Sequence, residues 1–423
     1  MKTPARMATA IEILDIWQQT QKRLDILCGD FFRARRYIGS KDRAAISQTV
    51  YDIVRHYARL NWCVGQKMGN PTRHIMLAYL AMMQKNSSTD IHDIFCGGTY
   101  APHALSETEK KLLDHFLAKK FDDFKMPENY WLECPDWAFD TLKTSLAENF
   151  AAELLAQQHV ASVDLRVNAL KARRDDVLKD MIAAGYNATT IEKTDFGIRL
   201  SNRVAFGALS CLKDGRADVQ DSASQQVAAM VGAAPGMLVL DLCAGAGGKT
   251  LAMAATMHNK GQIVACDISK KKLDELKRRA RLAGAQNIQT FLLHELSQDY
   301  STIPFAGKFD VVLIDAPCSG TGTWRRNPDA RWTKPADWEK LHATQWQLLS
   351  AAFTLVKKDG HVVYATCSLA QCENADMTAA FTQSGNAALI SQKQWLASAD
   401  GTDGFYAARL APVAIASFAE SNG

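Results

Sequence analysis

Two cysteine motifs carry most of the chemistry that this sequence offers. Asp315-Ala316-Pro317-Cys318-Ser319-Gly320-Thr321-Gly322 and Tyr364-Ala365-Thr366-Cys367-Ser368 each extend an apolar, β-rich run, Phe309 to Ile314 and His361 to Ala365. Each thiol is therefore expected where a strand opens into a loop, the usual place for chemistry in an open α/β sheet. One cysteine could attack a base while the other helps to release it, which suggests a cytosine-modifying enzyme. Free cysteine is also among the most buried residue types, so packing is the competing account of either one alone. The surroundings favour chemistry: a carboxylate three residues before Cys318, a Pro-Cys-Ser-Gly-Thr-Gly loop, and a cofactor-type glycine loop upstream.

That loop is Cys243-Ala244-Gly245-Ala246-Gly247-Gly248-Lys249-Thr250, placed between an apolar strand, Leu238 to Leu242, and the start of a helix. Gly-Lys-Thr invites a phosphate-loop reading, but the required first glycine would fall on Cys243, which disfavours ATP. A dinucleotide site would want a third glycine where Thr250 stands. Asp267, however, lies about 20 residues downstream at a strand end, as a ribose-binding acid should. S-adenosylmethionine remains, its amino-acid end passing the turn and Asp267 taking the ribose hydroxyls. A purely structural glycine turn is the competing account.

Something must position these groups, and 423 residues with 47% hydrophobic and 22% charged content allow two or three globular domains. No stretch approaches the roughly 18 consecutive apolar residues of a membrane span, and Met1 to Arg6 lead into an amphipathic run with no signal-peptide core. A cytoplasmic location without membrane contact is expected. The 10 cysteines form no framework and no Cys-x-x-Cys pair, which disfavours a disulfide scaffold and a metal site.

A net charge of +4 does not by itself indicate nucleic acid. Its distribution says more. One basic cluster runs from Lys270 to Arg281 and reads as a solvated helix face; another comprises Arg33, Arg35, Arg36, Lys41 and Arg43. A third, Arg325, Arg326 and Arg331 with Trp324 and Trp332, fits phosphate contact with base stacking.

Residues 9 to 83 have helical periodicity, 84 to 108 read as an irregular connection, and helices are expected over 107 to 120 and 137 to 158. Strands at 163 to 168 and 198 to 200 with a helix from 175 to 184 make a small α+β segment. From about 225 to 360 strands and helices alternate: strands 238–242, 263–267, 288–293, 311–314 and 362–366, with helices starting at Lys249, Lys270 and Leu341. That order implies a mostly parallel sheet covered on both faces.

With the glycine loop, the Pro-Cys loop and the Thr-Cys-Ser strand end in this order, the chain closely resembles the RNA cytosine-5 methyltransferases of the RsmB/NOP family from about Ser162 onward. Arg166-Val167-Asn168, Gln220 to Gln225, Glu373-Asn374 and Asp403-Gly404-Phe405-Tyr406 add to the likeness. DNA cytosine methyltransferases resemble only the Pro-Cys part.

The resemblance implies a Rossmann-like class I methyltransferase sheet over residues 218–423. Before it would come a linker helix with a small α+β RNA-binding segment over 131–217, and an all-helical, NusB-like RNA-binding domain over 1–130. By the family match Cys367 is the nucleophile, Cys318 assists release, and Asp315 hydrogen-bonds the base. Lys249 orients Asp315 or holds down the Cys367 pKa. Residues Cys243, Ala244, Gly245, Ala246, Gly247, Gly248, Lys249, Asp267 and Asp315 would bind S-adenosylmethionine. RNA, with ribosomal RNA favoured, is the implied partner, no metal is called for, and a monomer is expected.

Two positions depart from the family pattern: Gly245-Ala246 stands where Ala-Pro is usual, and only Glu295 offers a carboxylate after the third strand, which leaves the adenine contact open. A transfer RNA methyltransferase is the alternative within the enzyme class. An inactive assembly factor is the alternative outside it, and it should have lost a cysteine, the glycine turn or Asp315, all of which are present.

Overall fold

The structure is a computed structural model that describes residues 1–65, 68–201, 204–294, 300–333, 337–385 and 387–413. Glu295 lies outside the described residues. Two compact units form: Met1–His159 with Trp324–Pro335, and Val160–Thr323 with Ala336–Gly423.

The first unit is helical: α1 (Thr3–Thr20), α2 (Leu24–Ala34), α3 (Ser40–Arg55), α4 (Tyr57–Gly65), α5 (Thr72–Ala78), α6 (Ser88–Ile94), α7 (Glu107–Leu117), α8 (Glu128–Trp131), α9 (Asp136–Leu146) and α10 (Phe150–Ala156). The apolar spacing read from the sequence becomes its core: Ala10, Ile13, Leu14 and Trp17 on α1 meet Ile46, Val50, Ile53 and Val54 on α3. The stretch expected to be irregular contains α6. There Ser87 and Asp90 form a reciprocal capping box that satisfies the first free amides, so a helix starts inside a polar, turn-like sequence. The helical unit also runs past residue 130, because α9 and α10 belong to it.

The basic–aromatic stretch after Cys318 corrects the expectation of an RNA-facing surface. Trp324 and Arg331 have no exposed area, and Arg325 is buried. Arg331 lies over the Trp324 ring, 5.1 Å from its centroid, and donates to the carbonyls of Glu133 (3.3 Å) and Gln157 (2.7 Å). Trp332 Nε1 donates to the Val54 carbonyl at 2.9 Å, and Asp329 accepts the Leu24 amide at 3.0 Å. These aromatics and cations fill the helical unit. Carbonyl acceptors and a ring face offset the desolvation of the Arg331 charge. Burial still lowers the Arg331 pKa to about 10 and pushes the buried Glu133 carboxyl up to about 7.

The second unit opens with an antiparallel sheet of β1 (Val163–Val167), β2 (Ala188–Thr190), β3 (Gly197–Leu200) and β4 (Ala217–Val219), in the order β2-β3-β1-β4. Helices α11 (Arg174–Ala183) and α12 (Ser210–Lys213) accompany it. The larger part of the unit contains α13 (Ser222–Met230), β5 (Leu238–Asp241), α14 (Gly248–Thr256), β6 (Gln262–Asp267), α15 (Lys270–Ala283), β7 (Ile288–Leu292), β8 (Phe309–Asp315), α16 (Trp338–Leu355), β9 (Val356–Thr366), α17 (Ala375–Gln383), β10 (Ala387–Trp395), α18 (Ala397–Asp400) and β11 (Phe405–Pro412). Its seven strands run β10-β11-β9-β8-β5-β6-β7. The five from β5 to β9 are parallel, and β11 and β10 add an antiparallel edge. This is the mostly parallel sheet that the alternation of elements implied, and the Rossmann-like α/β fold that the resemblance implied. Strands β5, β6 and β8 and the second half of β9 are buried on both faces, largely by Val, Ile and Leu, while the edge strand β7 is half exposed.

Because Trp324 is a core side chain, Trp324→Ala is expected to destabilise the helical unit by about 3–5 kcal/mol. Urea unfolding should show a lower midpoint at unchanged slope; a midpoint equal to that of the wild type would contradict its structural role.

Candidate active site

The candidate residues lie along the carboxyl edge of the central strands, on both sides of the switch point between β5 and β8, where open α/β sheets hold their ligands. The turn after β5 is glycine-dependent at one position above all. Gly247 caps α14 with φ 87, and a Cβ there would stand 2.0 Å from Leu276 Cδ1, so both torsion and packing exclude a side chain. Gly245 (φ +56) is different, since a Cβ there would meet nothing within 4 Å. Its backbone faces open space in which a ligand can approach.

Charged groups fix this turn. The Gly245 amide donates to Asp267 Oδ2 at 2.9 Å, and the Ser269 amide donates to Asp267 Oδ1 at 2.7 Å. A carboxylate offers about four acceptor sites, so Asp267 keeps capacity for further donors. Arg279 Nη1 donates to the Ala246 carbonyl at 2.5 Å, while Nη2 pairs with Asp218 on β4. A guanidinium from α15 thus holds the residue where the family pattern has proline. The expectation of a solvated α15 face holds for exposed Lys270, Lys271, Lys272, Lys277, Arg278 and Arg281 and fails at Arg279, whose position on the inward side gave no signal in a run of basic residues. Under the turn, Asp241 Oδ2 accepts from Thr250 at 2.6 Å while its buried Oδ1 has no hydrogen-bond partner. Burial pushes this carboxyl up to about 7.

The parallel register of β8 on β9, Asp315 beside Ala365, sets the two cysteine loops side by side. The Ala316 amide donates to the Ala365 carbonyl at 2.8 Å, and the Gly322 amide to the Cys367 carbonyl at 2.9 Å. Cys318 Sγ and Cys367 Sγ are 3.4 Å apart, and both residues are half-buried. The Cys318 thiol is raised well above the ordinary thiol value, first by its hydrogen bond to Cys367, then by its enclosure, and further by the charges of Cys367 and Glu373.

Glu373 and Asn374 clamp both loops from behind. The Ser319 amide (2.9 Å) and Gln345 Nε2 (3.0 Å) donate to Glu373 Oε1, and Ser319 Oγ donates to Oε2 at 2.6 Å. Asn374 Nδ2 donates to the Ser368 carbonyl at 2.9 Å, while Asn374 Oδ1 accepts from Thr366 Oγ1 at 2.5 Å. In the sequence these two residues entered only as part of the resemblance; nothing local marked them as the support of the cysteines.

Lys249 Nζ bonds Asp315 Oδ2 at 2.6 Å, with the lysine 8% and the aspartate 35% exposed. Lys249 Nζ also lies 5.1 Å from the Phe405 ring centroid. The lysine therefore orients Asp315 and leaves one carboxylate oxygen open. The Asp403-Gly404-Phe405 segment closes the site: the Gly404 amide donates to the Gly322 carbonyl at 2.8 Å, and a Cβ on Gly322 would come 2.1 Å from the Gly404 carbonyl oxygen. Among the described residues no cluster of His, Cys, Asp or Glu has a metal-holding arrangement, and no helix is long and apolar enough to cross a membrane.

Comparison with known proteins fits this geometry. Residues 229–411 match the family model described as 16S rRNA methyltransferase RsmB/F, and residues 134–206 match that of the RsmF/B-like ferredoxin-like domain. Ribosomal RNA small subunit methyltransferase B of Serratia proteamaculans is 28% identical over 96% of this chain and 98% of its own length. The protein of the same name from Pectobacterium atrosepticum is 28% identical over 89% of this chain and 92% of its own. Among solved structures, PH0851 shares 22% identity at a TM-score of 0.77, covering 97% of this chain and 99% of that one. A methyltransferase homologue from Pyrococcus horikoshii shares 23% at a TM-score of 0.60, covering 67% and 97%. Both structural likenesses support the fold.

After the Cys367 hydrogen bond, burial and the Cys367 charge, the Glu373 charge adds to the raising of the Cys318 pKa, so its removal lowers that pKa. In Glu373→Gln, iodoacetamide alkylation of Cys318 is expected to set in at lower pH, about three- to fourfold faster near neutrality for each pKa unit recovered, the tenfold gain in thiolate being partly offset by its lower nucleophilicity. Peptide-resolved mass spectrometry reads this; an unmoved pH profile would deny the electrostatic role.

Proposed function

The chain belongs to the RsmB/F family of S-adenosylmethionine-dependent ribosomal RNA methyltransferases, and from that premise we propose that it methylates C5 of an unpaired cytosine in 16S ribosomal RNA through a covalent cysteine adduct. The observation that carries the proposal is the 3.4 Å pairing of two thiols beside the Lys249–Asp315 ion pair.

Cytosine C5 is a poor nucleophile until electron density is added at C6. Cys367 adds there as thiolate, forming the S–C6 bond. Asp315, held by Lys249, meets N3 of the base with its open oxygen, sharing a proton as charge develops on the ring. S-adenosylmethionine supplies the methyl group that the activated C5 takes up. Asp267 would hold its ribose, the turn from Cys243 to Lys249 would pass its amino-acid end, and Asp315 borders both partners.

Once Cys367 has bonded to C6 its negative charge is spent, and the main influence that kept the proton on Cys318 disappears. Cys318 then gives its own proton to solvent and, as thiolate, acts as base for the C5 proton. Removal of that proton re-forms the C5–C6 double bond and expels Cys367 as thiolate. Because the target atoms lie within the stack in any helix, the base must be unpaired or flipped out.

Cys367→Ala is expected to abolish transfer and adduct, while Cys318→Ala accumulates a denaturation-resistant RNA–protein adduct on gels; the reverse pattern would exchange the two roles. Bisulfite sequencing of total RNA with and without the gene should show one protected cytosine lost from 16S ribosomal RNA. Loss in a transfer RNA would reassign the substrate, and no loss anywhere would remove the C5 chemistry.

A further inference from the structure

The proposed chemistry leaves the basic cluster from Arg33 to Arg43 without a task. Beside it lie Tyr37, 79% exposed, and Tyr100, 84% exposed, which exceed every other exposed large apolar side chain among the described residues. Both line a single groove of about 930 Å³ in the helical unit, together with Met1, Lys2 and Glu12. Scattered surface rings need no explanation, but two presented in one groove do.

The backbone holds these rings outward. Tyr100 has φ +64, in a loop closed by hydrogen bonds from Gly97 N–H to the Pro102 carbonyl and from Ala101 N–H to the Gly98 carbonyl, both 3.0 Å. A left-handed torsion is uncommon for a residue with a side chain and is kept where the surroundings fix it. Tyr37 sits in the turn between α2 and α3, anchored by its buried neighbour Ile38, whose amide donates to the Arg35 carbonyl at 3.1 Å.

The charge around the groove is unbalanced. Asp42 is paired with the N-terminal ammonium at 2.9 Å and with Arg6 at 2.8 Å, Glu12 with Arg35 at 2.6 Å, and Asp30 with Arg33. Exposed Lys2, Arg36 and Lys41 have no ion-pair partner among the described residues.

We infer that this groove is a stacking site for unpaired bases of the substrate RNA, with Tyr37 and Tyr100 as the platforms and Lys2, Arg36 and Lys41 at the phosphates. The inference rests on the reading of the chain as an RNA methyltransferase and assigns particular residues of the helical unit, for which the resemblance implied only RNA binding in general, to the unpaired bases and phosphates. Every base has a π face, so such a site holds single strands with little sequence preference. Leftover positive charge and isolated rings suit a polyanion with flat bases better than a protein partner, which would want a contiguous aliphatic patch.

The test uses the full chain and a fluorescein-labelled, unstructured RNA of roughly 12 nucleotides, comparable to the footprint of single-strand binding proteins. Anisotropy titration of Tyr37→Ala/Tyr100→Ala is expected to give a Kd raised on the order of 100-fold, whereas Tyr37→Phe/Tyr100→Phe, which keeps the rings, binds as the wild type. Far-UV circular dichroism and the urea midpoint check that the exposed substitutions leave the helical unit folded. Wild-type affinity in the alanine variant would overturn the inference and leave the groove to a protein partner. Methylation of 16S ribosomal RNA by the wild type is measured in parallel. Methylation without tyrosine-dependent binding sinks this inference alone, while tyrosine-dependent binding without methylation sinks the proposed function alone.

Discussion

The parallel pairing of β8 with β9 is the constraint on which the site depends. Residues 49 apart in sequence reach 3.4 Å between their sulfurs because Asp315 pairs with Ala365 and the two strands open into loops at the same height. A slip of one residue would turn every side chain of a strand to the opposite face, taking Asp315 from Lys249 and Cys367 from Cys318. The register is protected by burial on both faces, with Val311 to Ile314 and Val362 to Ala365 all fully buried.

On this frame, the two cysteine loops are held by different supports. Glu373 grips the Cys318 loop through Ser319 and brings a negative charge to it, whereas Asn374 grips the residues flanking Cys367 with a neutral amide. The cofactor side follows the same logic: Asp267 and Arg279 fix the amide of Gly245 and the carbonyl of Ala246, so a turn without the proline of the family pattern is still held at both of its exposed peptide groups.

The parallel sheet was legible in the sequence because βα alternation and strands rich in Val, Ile and Leu have no other economical reading, and the glycine turn and both cysteines fell at strand ends for the same reason. β10 and β11 were not legible: the interior of β10 is exposed and shows no alternation, apolar Leu389 and Ile390 running into polar Ser391 to Gln394, and Ala407, Ala408 and Ala411 dilute the pattern of β11. Trp324 to Trp332 misled because sequence gives the types of side chains and not their surroundings. Tryptophan with arginine suits an RNA surface, but here ring faces and carbonyl oxygens accept the buried guanidinium. Glu373 and Arg279 matter through partners 54 and 33 residues away, which no local pattern encodes.

The central claim is that Cys367 bonds to the base while Cys318 does not. The most direct measurement incubates the wild-type protein and S-adenosylmethionine with substrate RNA carrying 5-fluorocytosine, whose fluorine cannot leave C5 as a proton does. Digestion and mass spectrometry then identify the peptide that holds the nucleotide. The account predicts the nucleotide on Cys367, carrying one added methyl group; attachment to Cys318, or no attachment to either cysteine, would contradict it.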